Sequence, residues 1–166
     1  TSNLPDPEIK LPGDNFNTIL RDGTYPSGGS FTGVGFQADL LWQKPRNLGD
    51  SHYLVDAVRG VSKNVKPNTV AIEGTDANFV TSFDSDGFTM GSNDWETSVT
   101  VVAWNWLGAN GTATNEVGDI TSTVSVNSTA GFSIVKYEGS GVSGNTVGHG
   151  LSEAPNMVIL KSLDAA

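Results

Sequence analysis

What most limits the fold of this chain is its rhythm. From Phe16 onward, short apolar runs alternate with clusters of turn-forming residues at roughly 8–12-residue spacing, the pattern of an all-β chain. Each run is long enough for one strand and too short for a helix with a buried stripe. The punctuation is specific: Asp22-Gly23, Ser27-Gly28-Gly29, Asp86-Gly87, Asn110-Gly111, Gly118-Asp119 and Gly139-Ser140-Gly141. Glycine supplies left-handed backbone, and Asn, Asp and Ser bond their own loops. No amphipathic helix of ten residues is visible, and one helical turn is expected near 59–66 (RGVSKNVK). Strands are expected at 16–22, 31–36, 38–44, 52–58, 69–73, 79–83, 87–91, 97–107, 119–126, 131–138, 145–150 and 156–162. Residues 1–15 hold Pro5, Pro7 and Pro12 and no periodicity, which reads as an extended N-terminal arm. The expected fold is all-β, a two-sheet jelly-roll-like β-sandwich behind that arm.

Composition narrows the chemistry. The chain has 166 residues, enough for one domain with its own core. With 0 Cys, a disulfide scaffold, a cysteine zinc site and a thiol nucleophile are excluded. The 9 basic and 18 acidic residues give a net charge of −9, which repels phosphate backbones, so no nucleic-acid partner is expected. No apolar run approaches the roughly 18 residues of a membrane-crossing helix, and no membrane partner is expected. From Pro67 to Val135 there is no Lys or Arg, while Glu73, Asp76, Asp84, Asp86, Asp94, Glu96, Glu116 and Asp119 fall there. A solvated acidic face is the plain reading, and capture of a divalent cation the sharper one.

Two strands are informative. In 97–107 (TSVTVVAWNWL), Val99, Val101 and Ala103 lie on one face and Val102, Trp104 and Trp106 on the other. Both faces are apolar, so the strand is expected centrally, between layers. In 119–126 (DITSTVSV), Ile120, Ser122, Val124 and Val126 alternate with Thr121, Thr123 and Ser125, as in a strand with one wet face.

The chain also repeats itself. FNTILRDGT (16–24) resembles FSIVKYEGS (132–140), offset by 116. GVGFQADLLWQK (33–44) resembles GHGLSEAPNMVILK (148–161), offset by 115 to 117 with a two-residue insertion. The expected organisation is an arm (1–15), a β-sandwich first copy (16–131) and a truncated second copy (132–166). A truncated copy leaves open strand edges. It is expected to pack on the first copy, to pack on a neighbouring subunit, or to belong to a longer protein.

These motifs carry a resemblance. FNTIL (16–20), GVGFQADLLWQK (33–44), VDAVRG (55–60), TDAN…TSFDSDGFTMGS (75–92), VVAWNW (101–106), DITSTVSVNSTAGFSIVKYEGSG (119–141) and TVGHGLSEAPNMVILK (146–161) resemble a repeated domain of unknown function in virion proteins of marine tailed bacteriophages. Those proteins are commonly described as tail fibres or appendages with a lectin-like, concanavalin-type jelly roll. The resemblance implies that fold and a virion setting, and it carries no established activity.

Candidate sites follow from residue types. Asp84-Ser85-Asp86-Gly87 opens like a calcium loop, but position 12 is Trp95 rather than a bidentate Glu, which excludes an EF-hand. Asp76, Asp84 and Asp86, with Asn78, are the Ca²⁺ candidates; a carboxylate-capped turn is the plainer reading. Trp42, Trp104 and Trp106 sit inside apolar strands and read as core. Trp95, flanked by polar residues, is the candidate exposed aromatic, and with Asn93 the candidate glycan contact; a loop anchor is the competing reading. Gly139 to Gly144 matches G-x-G-x-x-G but precedes no helix, so it reads as a loop. Arg59, three residues after Asp56, is expected to pair with it. His52 and His149 suggest no triad, there is no G-x-S-x-G elbow, and no spacing singles out a carboxylate pair.

The expectation is therefore a non-enzymatic structural protein of a phage particle: a tail-fibre, appendage or head-decoration module located in the extracellular virion. It would pack with other virion proteins and as a homo-oligomer, a trimer or larger, and contact the host surface during attachment. No catalytic residue and no cofactor are assigned beyond the Ca²⁺ candidate. The alternatives are a lectin-like module binding host-surface glycans and, behind it, a glycan-degrading enzyme.

Overall fold

The computed structural model describes residues 11–22, 28–93, 95 and 98–164. Residues 1–10 of the expected arm and 23–27 of the turn cluster after the first strand lie outside them. The described residues form twelve strands: β1 (Phe16–Arg21), β2 (Gly29–Thr32), β3 (Leu40–Pro45), β4 (Tyr53–Asp56), β5 (Lys63–Asn64), β6 (Gly74–Thr75), β7 (Val80–Asp84), β8 (Gly87–Met90), β9 (Val101–Trp106), β10 (Ala113–Asn115), β11 (Ser122–Asn127) and β12 (Phe132–Tyr137). Among them there is no α-helix, only a 3₁₀ turn at Pro12–Asp14 where the arm was expected. The protein is all-β, built from several antiparallel sheets.

A four-stranded sheet runs β1-β9-β3-β4 and a three-stranded sheet runs β2-β8-β7. The chain crosses between them, from β1 to β2 and back to β3, so the two sheets face each other as a sandwich. Leu41, Val55 and Ala103 of the first sheet meet Phe31, Val80, Phe88 and Met90 of the second in one core cluster. A third sheet, β10-β11-β12, and a two-stranded β5-β6 ribbon complete the fold.

The sequence placed β9 centrally, and it pairs with β1 on one side and β3 on the other. Val101, Ala103 and Asn105 point into the sandwich and are buried, while Val102, Trp104 and Trp106 on the opposite face are only half-buried.

Five expectations are not met. The run 31–36 stops at Thr32, because Gly33 and Gly35 take φ of +90° and +89° and send their amides to the Asp86 carboxylate. The run 69–73 is not a strand: the Thr69 hydroxyl accepts from the Ala71 amide, a side-chain turn that competes with pairing. In place of a helical turn, 59–66 forms turns leading into β5. In 145–150 only Val147 pairs, through isolated bridges to Gly118 and Ile120. The segment 156–162 has strand-like residues and no neighbouring strand, and a lone strand holds no ladder. The wet face read for 119–126 holds at Thr121, which is exposed, and in part at Thr123, which is half-buried, but not at Ser125, which is fully buried and accepts from the Ala109 amide.

One buried acid ties the layers together. Asp39, 0% exposed, accepts the amides of Gly108 (2.7 Å) and Asn110 (2.9 Å) through Oδ2, fixing the turn after β9 to the start of β3. Burial raises its pKa above the ordinary 3.8 despite those two bonds.

Candidate interaction surface

The outer face of the four-stranded sheet is its least covered apolar surface. Pairs directly opposite in register share a face, so Trp42 and Leu54 join Trp104, and Phe16 and Leu40 join Trp106. Trp42 stands edge-on to Trp104 (centroids 6.1 Å, 76°) and tilted to Trp106 (6.5 Å, 34°). Phe16 lies 4.8 Å from Trp106. The third sheet covers one end of this row, where Phe132 stacks on Trp106 at 6.2 Å. At the other end Leu20 is 62% exposed on the edge strand β1.

His52 belongs to this face. Its Nδ1 accepts the Trp42 indole N–H at 2.9 Å. Burial, with Lys44 nearby, lowers its pKa, so the ring is neutral at pH 7. His149 instead closes a turn, its Nδ1 accepting from the Leu151 amide.

The residues singled out from sequence are not brought to this surface. Trp95 is half-buried and packs edge-on against Tyr53 (5.5 Å) and Phe79 (5.3 Å), with its indole donating to Asp50 at 2.8 Å. It anchors its loop to the core cluster and is not the protruding ring the flanking polar residues suggested. Burial would raise the Asp50 pKa, but that indole bond, the Ser51 amide, Lys66 and Lys44 together bring it below the ordinary value. Asn93 donates to both carboxylate oxygens of Asp76 at 3.1 Å, and the Asn78 amide donates to Asp76 at 2.8 Å. Asp84 accepts from Ser82 and Thr89. Asp86 accepts from the Gly35 (2.6 Å) and Gly33 (3.0 Å) amides, which lowers its pKa. Asp84 thus braces its own hairpin, Asp76 ties its turn to Asn93, Asp86 ties the β7–β8 turn to the loop after β2, and among the described residues no three acidic or histidine side chains converge as metal ligands would. The Asp56–Arg59 pair forms at 2.6 Å, and Arg59 also reaches Glu73 at 3.3 Å. The 139–144 loop holds itself together, with Ser140 Oγ bonded to the Val142 amide and the Asn145 side chain.

The open aromatic face was missed because period-2 patterning says that both faces of β9 are apolar. It does not say whether a layer lies on each. A groove of about 320 Å³ lined by Ala109, Gly111, Thr112, Ala113, Val124 and Val126 carries no ionisable side chain.

Taken together, these features define a β-sandwich with one partly uncovered aromatic sheet face. The family model described as Domain of unknown function (DUF7483) matches residues 11–166, and the chain belongs to that family. No curated protein and no solved structure matches the chain.

Proposed function

We propose that the protein is a non-enzymatic structural module of a phage virion, of tail-fibre, appendage or head-decoration type, that works by packing against neighbouring subunits. The observation that carries this reading is the uncovered sheet face, where exposed Leu20 (62%) and Phe16 (38%) border half-buried Trp42, Trp104 and Trp106. Apolar surface of this kind on an edge strand gains by burial against another protein. The passage of the chain between two facing sheets suits the jelly-roll, concanavalin-like class proposed for it. A homo-oligomer of three or more copies, within the virion and beside other virion proteins, is the assembly we propose. Light scattering on the full chain across a dilution series tests it. A mass of three or more protomers that survives dilution is expected; a monomer at every concentration contradicts it.

The second reading, a module binding host-surface glycans, is favoured by the same indoles, since aromatic rings stack on sugar faces. The mutual tilts of 76° and 34° leave no flat platform, which ranks it below packing. Saturable quenching of tryptophan fluorescence by neutral hexose oligosaccharides would reverse that ranking.

A further inference from the structure

The turn after β9 carries a chemistry that the packing reading does not use. Asn-Gly occurs once in the sequence, at Asn110-Gly111. Both residues are exposed. Among the described residues Asn110 is the only non-glycine in left-handed backbone, φ +52°, a conformation its short polar side chain tolerates. Its own amide is held by Asp39 at 2.9 Å. Beyond that atom the bonding stops: among the described residues no hydrogen bond engages the Asn110 side chain or the Gly111 amide. Gly111 has no side chain, and nothing lies within 4 Å of where a Cβ would stand, so nothing crowds its nitrogen as it turns towards Asn110 Cγ.

Comparable positions are held. Asn127, before Ser128, donates to Asn15 and to the Leu107 carbonyl and accepts from the Ala130 amide. Asn145, before Thr146, donates to Ser140, and the Thr146 amide that would attack it is bonded to Asp119 at 2.9 Å. The Asp86 carboxylate, before Gly87, is fixed by the Gly33 and Gly35 amides.

We infer that Asn110 is a site of spontaneous deamidation and that its isoaspartyl product loosens the tie to Asp39. Asparagine is among the chemically labile side chains. Hydroxide removes the proton from the Gly111 amide, and that nitrogen attacks Asn110 Cγ. An N–Cγ bond forms, the Cγ–Nδ2 bond breaks, and the departing nitrogen takes a proton from water and leaves as ammonia, which regenerates hydroxide. Water then opens the cyclic imide. Cleavage at Cγ gives aspartate; cleavage at the main-chain carbonyl gives isoaspartate, whose backbone runs through Cβ and Cγ and is one methylene longer, with a free carboxylate on Cα. Residue 110 is held at its amide by Asp39, and Ala113 is in register with Val124 of β11. The extra length must be taken up between those two points, and the new carboxylate repels that of Asp39. Both effects act on the amide bond that fixes this turn. The inference goes beyond the packing reading and does not depend on it.

The full chain is incubated in mildly alkaline buffer beside a synthetic peptide of residues 106–115 (WLGANGTATN), and both are followed by peptide mass mapping. Each conversion raises the mass by one unit, and fragmentation at N–Cα bonds tells isoaspartate from aspartate. Asn110 in the folded chain is expected to convert within about threefold of the free peptide, as an unbonded exposed turn opens at almost no cost, and faster than any other asparagine of the chain. The variant Gly111→Ala, which the open space accommodates, is expected to keep its melting temperature and lose most of the conversion, because its methyl crowds the attacking nitrogen. The isoaspartyl form, resolved by anion exchange, is expected to unfold in urea at a midpoint about 0.5 M lower. An Asn110 that stays intact in the folded chain while the peptide converts overturns the site, as does conversion that Gly111→Ala leaves unchanged. An isoaspartyl form that unfolds at the wild-type midpoint overturns the loosening.

Discussion

Replacing Asp39 by alanine tests how the sandwich is held at its rim. The Asp39 carboxylate is fully buried, and one oxygen receives the amides of Gly108 and Asn110 at 2.7 and 2.9 Å. Truncation leaves the Gly108 amide without that acceptor at a buried site and the Asn110 amide without it at a partly buried one. An unsatisfied buried donor costs about 1–3 kcal/mol and a partly buried one less, so the two together cost at most about 5 kcal/mol. Removing the acid also relieves the desolvation that raises its pKa, which offsets part of the loss. A net loss of about 2–4 kcal/mol follows, a large share of the roughly 5–15 kcal/mol of a typical domain. In urea, with a slope of about 2 kcal/mol/M, the midpoint falls by about 1–2 M. Asp39→Asn keeps an acceptor and removes the charge, so it is expected to lose less. The sign with pH is fixed by the raised pKa: the folded state binds the proton more tightly, so Asp39 loses stabilising effect as pH rises through 3.8 towards its folded value. Relative to wild type, Asp39→Asn therefore improves over that window. A midpoint for Asp39→Ala within about 0.3 M of wild type would refute the reasoning.

Other perturbations read other parts of the structure. A Cβ on Gly87, whose φ is +143°, would fall on the Phe31 carbonyl, so Gly87→Ala is expected to break the β2–β8 pairing and lower the melting temperature sharply in calorimetry. Trp95→Phe keeps a ring against Tyr53 and Phe79 but loses the Asp50 bond; a cost of about 1 kcal/mol in chemical denaturation is expected, and the Asp50 pKa is expected to rise in an NMR titration. Asp86 and Asp119, the latter bonded to the Thr146 amide and hydroxyl, have pKa values below 3.8. Their stabilisation is present above 3.8 and lost as pH falls through the lowered values, so amides 33, 35 and 146 are expected to exchange faster there after correction for intrinsic rates.

Much of the fold was legible because strand signals are local. The alternation in 97–107 placed β9 in the middle of a sheet, and turn formers separated most strands within a few residues. The failures were tertiary. Val70 and Ile72 suggested a strand, but a Thr69 turn and missing partners left both side chains exposed. MVILK has the composition of β3, yet a strand needs neighbours that a pattern does not supply. The candidate site was less legible. Polar flanks made Trp95 look exposed, whereas Asp50, Tyr53 and Phe79, 16 to 45 residues away in sequence, hold it against the core. The clustered acids looked like ligands, yet each is engaged by hydrogen-bond donors, Asp86 by the Gly33 and Gly35 amides and Asp76 by the Asn93 side chain, contacts between loops that a local pattern does not show. Trp42, Trp104 and Trp106 read as core because only the third dimension shows that no complete layer covers them.

The most direct test of the packing account is sedimentation velocity of the wild-type chain beside Leu20→Asp, at matched concentration. Leu20 is exposed on an edge strand, so the substitution is expected to leave the melting temperature near that of wild type. The account predicts an assembly of three or more protomers for the wild type and a shift towards monomer for the variant. Identical mass distributions for the two chains would contradict it.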